Sequence, residues 1–226
     1  MKKVVYNRKS SVEIIIVKYN VPDFERNTIK SVLDNTSEPY NLTAWQNRAK
    51  DENLSVIWNK LIKRSTADYI CLLNTDVKVT PDWLDDLLEV FEKEKNVGIV
   101  SCVTNACGIV KQRQPVLSKY KVEESSQLSG FCMVFPKKLW KKVGGFDEEY
   151  ELYGEDSQLC VDVIKLGYRL LIRRDVFIHH FKGQSSIKAR CEGKDTLAIA
   201  AKSARMFTEK TKIVPEYLRR KNENNI

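Results

Sequence analysis

Tyr69-Ile70-Cys71-Leu72-Leu73-Asn74-Thr75-Asp76 is the stretch on which the fold of this 226-residue chain turns. An apolar run with no polar interruption is what a strand buried on both faces of a parallel sheet requires, and the abrupt change to Asn-Thr-Asp marks where that strand leaves the core. Downstream, Pro81 suits a first helical turn, and Trp83, Leu84, Leu87, Leu88 and Phe91 recur at the spacing of an amphipathic helix. Upstream, Leu54, Ile57, Trp58, Leu61 and Ile62 carry the same period.

The pattern repeats in both directions. Val12 to Val17 is a β-branched apolar run, followed by a helical segment from Pro22 to about Asp34 with Phe24, Ile29, Val32 and Leu33 on one face. Tyr40 to Arg48 reads as a short second strand, and Gly98 to Val103 as another. Ser129 to Phe135 predicts a strand, Lys137 to Lys142 a helix, Gly144-Gly145-Phe146-Asp147 a turn, and Asp156 to Leu166 a helix stopped by Gly167. A last apolar segment, Tyr168 to Ile178, ends in His179-His180, and a helix from Ile187 through Phe207 leads into a polar, basic tail. Alternating strands and helices predict an α/β fold, an open, mainly parallel twisted sheet with helices on both faces, Rossmann-like in outline. Residues 10–186 are expected to form the main domain and 187–226 a helical extension with a basic tail.

Open sheets of this kind bind ligands at the carboxyl ends of their strands, so polar residues that end apolar runs are the candidates. Asp76 projects from such an edge, and an isolated carboxylate there suits a hard divalent cation whose other positions go to water and phosphate. It is also what a plain Asx turn would contain. Glu155-Asp156, after Tyr153-Gly154, sits just ahead of a helix, where Asp is a common cap or first-turn anion. His179 and His180, the only histidines, lie at a strand end, where an imidazole is either a ligand or a surface side chain.

Composition narrows the field. The 38 basic and 30 acidic residues leave +8, which favours a phosphate-bearing ligand, an anionic membrane surface or nucleic acid. The basic residues are spread out rather than interleaved with aromatics, which argues against a nucleic-acid partner. No apolar run reaches membrane-spanning length and the first residues lack a secretory apolar core, so a cytoplasmic protein is expected. Six cysteines without Cys-x-x-Cys spacing read as reduced, largely buried thiols. Signatures for dinucleotides, P-loops and esterase elbows are missing.

Taken in order, these pieces resemble glycosyltransferase family 2, whose fold is called GT-A, and especially its rhamnosyltransferase-like bacterial and archaeal members. The matching segments are Tyr19-Asn20 after the first strand, Glu52-Asn53-Leu54 with Asn59, Asp68 to Val77, Val103-Thr104-Asn105, Ser129-Gly130, Val143 to Asp147, Tyr153 to Asp156, and His180 with Gly183 and Ser185. They span roughly residues 12–186. The resemblance implies an inverting transferase that moves a sugar, hexosyl or rhamnosyl, from a nucleotide-diphosphate sugar to a hydroxyl of a glycan or lipid-linked acceptor. By the same carry-over, Asp76 would bind Mn²⁺ or Mg²⁺ with His180 as a second ligand or diphosphate contact. Asp156 would be the general base and Glu155 its catalytic neighbour. Tyr19, Asn20, Asn47, Asn53, Asn59, Asn74, Thr75, Ser129 and Gly130 would be substrate-binding.

Two departures stand out. The family usually has an acidic residue after the second strand to contact the nucleotide base, whereas this chain has Trp45-Gln46-Asn47-Arg48, with the Asn47 amide as the substitute, and the interval to Glu52 is short. Lys18 stands where a small or neutral residue is common, either as a solvated strand end or as a point charge for the diphosphate. Basic residues near the end, including Lys210, Lys212, Arg219, Arg220 and Lys221, offer a peripheral contact with the inner face of a membrane, or simply a solvated tail. The competing readings are a GT-A-fold scaffold that has lost donor binding, and nucleotidyl transfer, which lacks the Gly-rich basic loop expected after the first strand.

Overall fold

The computed structural model of the protein describes residues 11–37, 39–47, 53–113 and 120–213. Arg48, Glu52, Arg219, Arg220 and Lys221 lie outside the described residues. The first half of the chain runs β1 (Val12–Lys18), α1 (Pro22–Asn35), β2 (Tyr40–Gln46), α2 (Leu54–Arg64), β3 (Tyr69–Leu73), β4 (Val77–Lys78), α3 (Trp83–Lys93) and β5 (Val97–Val103). After a 3₁₀ turn at Val110–Arg113 come β6 (Val122–Ser125), β7 (Cys132–Pro136), α4 (Lys137–Val143), α5 (Glu155–Lys165), β8 (Arg169–Phe177), β9 (His179–His180), α6 (Gln184–Cys191) and α7 (Thr196–Thr211).

Seven strands form one sheet in the order β2-β1-β3-β7-β5-β8-β6, and β4 pairs with β9 in a separate ribbon. β1 is parallel to both β2 and β3, and β5 is parallel to β8. β7 runs against β3 and β5, and β6 against β8. The sheet is therefore mostly parallel, as expected. The reversal of β7 is the feature that matters for the site, because Cys132 lies opposite Leu73 and the residues leading into β7 rise beside the carboxyl end of β3.

Strand residues sort by period two into two apolar layers. Ile14, Ile16, Cys71, Leu73, Cys132 and Val134 pack on the side of α1 and α3, with Val32, Trp83, Leu84 and Leu87. Ile15, Ile70, Leu72, Met133 and Phe135 pack on the other side, with Ile57, Trp58 and Ile62 of α2 and Leu159 and Val163 of α5. Each large aliphatic side chain so buried contributes roughly 1.5–3 kcal/mol, and this is why strands of only five residues hold their place. Cys71, Cys102, Cys107, Cys132 and Cys160 are buried free thiols and Cys191 is exposed.

Several details differ from the expectation. Leu33 is 60% exposed, and the buried face of α1 carries Thr28 and Ser31 instead. Those hydroxyls serve backbone: Thr28 Oγ1 accepts from Val77 N–H at 3.1 Å and shares its own proton between the carbonyls of Thr75 and Val77, 2.8 and 2.7 Å away. Ser31 Oγ likewise accepts from Val79 N–H at 3.2 Å. The segment after β3 has no neighbouring strand of the main sheet, so its polar groups need side-chain partners and an apolar face would leave them unpaired. The single helix expected from Ile187 is two helices. α6 begins at Gln184 and stops where Gly193 takes φ +87°, before α7 restarts with Asp195 as its cap. Lys210 is engaged by Asp147 and Glu149, which removes it from a free basic surface. Among the described residues no helix is long and apolar enough to cross a membrane.

Candidate active site

Asp76 follows β3 and is 4% exposed. His180 reaches it because β9 pairs with β4 and sets Val77 opposite His180. His180 Nε2 lies 3.3 Å from Asp76 Oδ1, while His180 Nδ1 lies 2.8 Å from the Ala106 carbonyl oxygen. A carbonyl oxygen only accepts, so Nδ1 carries a proton. Nε2 then turns a lone pair toward the carboxylate, and it has no hydrogen-bond partner in the described residues. Two electron-rich atoms at this separation repel unless a second ring proton or a cation lies between them. An imidazole that donates its other N–H to a backbone carbonyl is the usual arrangement of a ligating histidine.

The surroundings hold both groups still. His180 N–H donates to Asn105 Oδ1 at 2.7 Å, Asn105 Nδ2 returns a bond to the His180 carbonyl at 3.0 Å, and the Phe131 ring stacks on the imidazole at 5.4 Å. Asp76 Oδ2 accepts the first backbone N–H of α6, from Gln184, at 3.1 Å. Burial works to raise the Asp76 pKa, but the neighbouring His180 side chain and the Gln184 N–H outweigh it and hold the carboxyl below its ordinary value. Among the described residues no group of three or more His, Cys, Asp or Glu side chains is placed to hold a metal ion, so a cation here would draw two ligands from the chain and the rest from oxygens of water or substrate.

The second carboxylate cluster opens α5 and leans on the residues that lead into the reversed strand. Asp156 Oδ2 accepts the Gly130 N–H at 2.8 Å, two residues before β7, and Asp156 Oδ1 accepts the Ser157 N–H at 2.7 Å. The second bond is that of a first-turn anion in a helix, so the structural reading of Asp156 is partly correct. The first is not local. A Cβ on Gly130 would sit 3.2 Å from Asp156 Oδ2, a tight contact that would press on the carboxylate. Next in sequence, Phe131 accepts the Asn74 N–H at 2.9 Å through its carbonyl. The dipeptide Gly130-Phe131 therefore touches Asp156, Asn74 and His180, and ties the two acidic clusters to one wall. Gly154, at φ +93° and pressed against the Tyr150 ring, is the turn that delivers Glu155 and Asp156.

Glu155 is 6% exposed, and its Oε2 has no partner in the described residues. Burial, reinforced by the charge of Asp156, pushes its pKa up to about 8. Asp156 is also raised by burial, against the pull of the Gly130 and Ser157 donors. An unfolded glutamate ionises near 4.5, so between that pH and about 8 the folded protein keeps a proton that the unfolded chain has released. Stability should then fall as pH rises through this window, by at most roughly 1.4 kcal/mol per unit, and level off above it. Glu155→Gln is expected to flatten this slope, matching wild type at pH 4.5 and melting higher at pH 8.5. Parallel melting curves across that range would mean that Glu155 ionises normally.

The remaining candidates divide. Thr75 is 3% exposed, with its hydroxyl 3.2 Å from Ser185 Oγ, and Ser129 donates its N–H to the buried Gln112 Oε1 at 2.8 Å. Tyr19 and Asn20 end β1, and Asn47 follows β2 with its N–H on the Lys18 carbonyl at 3.0 Å. Asn53 and Asn59 are engaged within the protein. Asn53 caps α2 by accepting from Val56 N–H at 2.8 Å and donates to the Glu148 carbonyl at 2.6 Å. Asn59 donates to the Phe146 carbonyl and Glu148 Oε1, each at 2.8 Å, and accepts from the Phe146 N–H at 2.8 Å and Trp140 Nε1 at 3.3 Å. An amide with its hydrogen-bonding capacity used in this way clamps the turn after α4.

Sequence reading quoted Asn105 in a matching segment but gave it no role, and it missed Ala106, which orients His180 with Asn105, and Gln112, which supports Ser129 while also donating to Ser101 Oγ at 2.7 Å. It also passed over Gln184 and Ser186, the latter 2.5 Å from the Tyr153 hydroxyl. The only local hint was a polar cluster after an apolar strand, which does not tell a brace from a loop.

Residues 46–135 match the family model for glycosyl transferase family 2. The chain is similar to the O-antigen biosynthesis protein RfbC of Myxococcus xanthus, 20% identical over 229 residues that cover 85% of this chain and 18% of that protein. It thus spans under a fifth of that relative's length. Its fold is similar to that of GalNAc-T7, solved with UDP, GalNAc and Mn²⁺, with a TM-score of 0.62 and 11% identity over 76% of this chain and 44% of the other. The sheet with its flanking helices is the GT-A glycosyltransferase fold, and the family resemblance drawn from sequence holds.

Proposed function

Because residues 46–135 match the model for glycosyl transferase family 2, we propose that this protein transfers a sugar from a nucleotide-diphosphate sugar to a hydroxyl of a glycan or lipid-linked acceptor, with inversion. The observation that carries the reading is the pair Asp76 Oδ1 and His180 Nε2, 3.3 Å apart at the end of β3 and joined by Gly130-Phe131 to Asp156. The oxygen and nitrogen donors fit Mn²⁺, and fit Mg²⁺ less well, since that ion favours oxygen alone. A cation held there supplies neutralisation of the charge that develops on a diphosphate leaving group.

In this reading Asp156 takes the proton of the attacking hydroxyl. Its raised pKa makes it a stronger base than an exposed aspartate, and the Gly130 and Ser157 N–H groups aim the carboxylate. Glu155, kept neutral by burial, adds no second charge to repel the nucleophile. Ser129 and Gly130 line the sugar, Asn74 and Thr75 the ribose and phosphates, and Tyr19, Asn20 and Asn47 the nucleoside. Base on one side of the anomeric carbon and diphosphate on the other give in-line displacement and inversion. The name of the Myxococcus relative supports surface-polysaccharide assembly, and the UDP and Mn²⁺ with which GalNAc-T7 was solved support a cation-dependent nucleotide donor. A cytoplasmic location, peripheral at the inner face of the membrane, would bring such an enzyme to lipid-linked acceptors.

The scaffold reading has one observation in its favour, the Gln184 N–H and Ser185 hydroxyl already resting on Asp76 and Thr75, where phosphates would lie. Melting the protein with UDP, TDP, GDP and CDP sugars, with Mn²⁺ or with EDTA, separates the two. A transferase should gain about 2.7 kcal/mol at a donor concentration a hundred times its Kd, only when Mn²⁺ is present. No shift with any donor would leave the scaffold.

A further inference from the structure

β2 ends in Trp45-Gln46-Asn47 without a carboxylate, yet a carboxylate arrives at that corner from the far end of the chain. Glu192 closes α6: its N–H bonds to the Lys188 and Ala189 carbonyls at 3.0 and 3.1 Å, and Gly193 and Lys194 complete the cap on Arg190 and Ala189. The left-handed Gly193 stops the helix and fixes where the side chain leaves it. Glu192 Oε1 accepts from Asn20 Nδ2 at 3.5 Å, and Asn20 Oδ1 accepts from Gln46 Nε2 at 3.5 Å. Both bonds are at the outer limit of hydrogen-bonding distance. The other carboxylate oxygen, Oε2, is shut from solvent and has no hydrogen-bond partner among the described residues. Lys188 Nζ, 3.4 Å from Oε1, is the nearby cation, and its side chain is 41% exposed. A contact of this length to a partly solvated lysine holds the carboxylate only loosely.

We infer that Glu192, with the amides of Asn20 and Gln46, reads the nucleobase of the donor and selects bases that present a ring N–H: uracil, thymine or guanine. The inference rests on the transferase reading and deepens it. Strand order sets the direction. Asp76 follows β3, Asp156 is held from the β7 side, and β1 and β2 lie on the opposite side of β3. A diphosphate at Asp76 with its sugar toward Asp156 must send its nucleoside toward the ends of β1 and β2, where Asn20, Gln46 and Glu192 meet. A base that enters between Asn20 and Glu192 replaces long contacts with short ones. The ring N–H of uracil, thymine or guanine donates to the carboxylate, and an amide N–H of Asn20 or Gln46 donates to the adjacent base carbonyl. Cytosine and adenine present a ring-nitrogen lone pair at the corresponding position, which a carboxylate repels. The same logic lets a site built to bond one edge reject an analogue that leaves a buried polar group unpaired.

The test is titration calorimetry of UDP, TDP, GDP, CDP and ADP, with Mn²⁺, against wild type, Glu192→Ala and Glu192→Gln. Wild type should bind at least one of UDP, TDP and GDP about tenfold or more tighter than CDP and ADP. In Glu192→Ala the preferred nucleotide should weaken about tenfold while CDP stays within about twofold, and Glu192→Gln should gain affinity for CDP because its amide donates to the cytosine ring nitrogen. A merely structural role would weaken all five alike, so an unchanged ratio in both variants overturns the inference while leaving the transferase reading intact. Binding of none of the five by wild type would overturn both.

Discussion

Asp156→Asn is expected to lower turnover by roughly 10²- to 10⁴-fold while donor affinity stays within about twofold, the range set by loss of a positioned general base. The amide is nearly isosteric, and its oxygen can still accept the Gly130 N–H that the carboxylate accepts at 2.8 Å. What it cannot do is take a proton from the acceptor. Its NH₂ would also face the Ser157 N–H now bonded to Oδ1, so a small loss of stability, about 1 kcal/mol, should accompany the kinetic effect. The two effects separate in a single experiment, with Kd for the donor from calorimetry and turnover from release of the nucleoside diphosphate. Full turnover in a variant that binds donor normally would remove Asp156 from the chemistry and leave it as a helix-start anion.

Asp76→Asn should abolish the Mn²⁺ response. Loss of an outer partner of a metal site typically costs 10- to 100-fold in affinity, so loss of one of two protein ligands should exceed about a hundredfold. The variant should still fold. Its side-chain oxygen can accept the Gln184 N–H, which now reaches Asp76 Oδ2 at 3.1 Å, and its NH₂ can donate to His180 Nε2. Melting without metal should therefore move by less than about 4 °C, the shift that roughly 1 kcal/mol produces in a chain of this length. Mn²⁺ titration followed by electron paramagnetic resonance gives the binding constant directly. Retained affinity would place the cation elsewhere, and His180 would then be only the proton-bearing partner of a buried aspartate.

The two acidic clusters were not equally legible. Asp76 stood out because an apolar strand ends beside it, and a strand that ends in a sheet of this class delivers its next residues to the ligand edge. Asp156 had only a Gly before it and an apolar helix after it, which describes many helix starts. Its tie to Gly130 depends on β7 running antiparallel, and an apolar run carries no sign of its direction. Asn53 and Asn59 show the converse. An Asn in a family-like position has the same letter whether it faces a ligand or caps a helix, and only the partners at Glu148, Phe146 and Trp140 tell the cases apart. β6 escaped notice because the stretch before Ser129 shows neither period two nor a continuous apolar run.

What the sequence by itself determined was the burial pattern: unbroken apolar strands that sort alternately into two layers, helices of one apolar face, and acidic residues where those strands and helices begin or end. These are consequences of period and transfer free energy, which act over a few residues and can be read from them. The tertiary structure alone decided which of those residues meet. The bonds that build the site join positions 26 residues apart for Gly130 and Asp156, 108 for Asp76 and Gln184, and 172 for Asn20 and Glu192. Such contacts follow from strand order, the two-residue pairing of β4 with β9 and the stop at Gly193, and each of these is settled by how whole elements pack, because closing a loop of that length is repaid only when the cores on both faces of the sheet have formed.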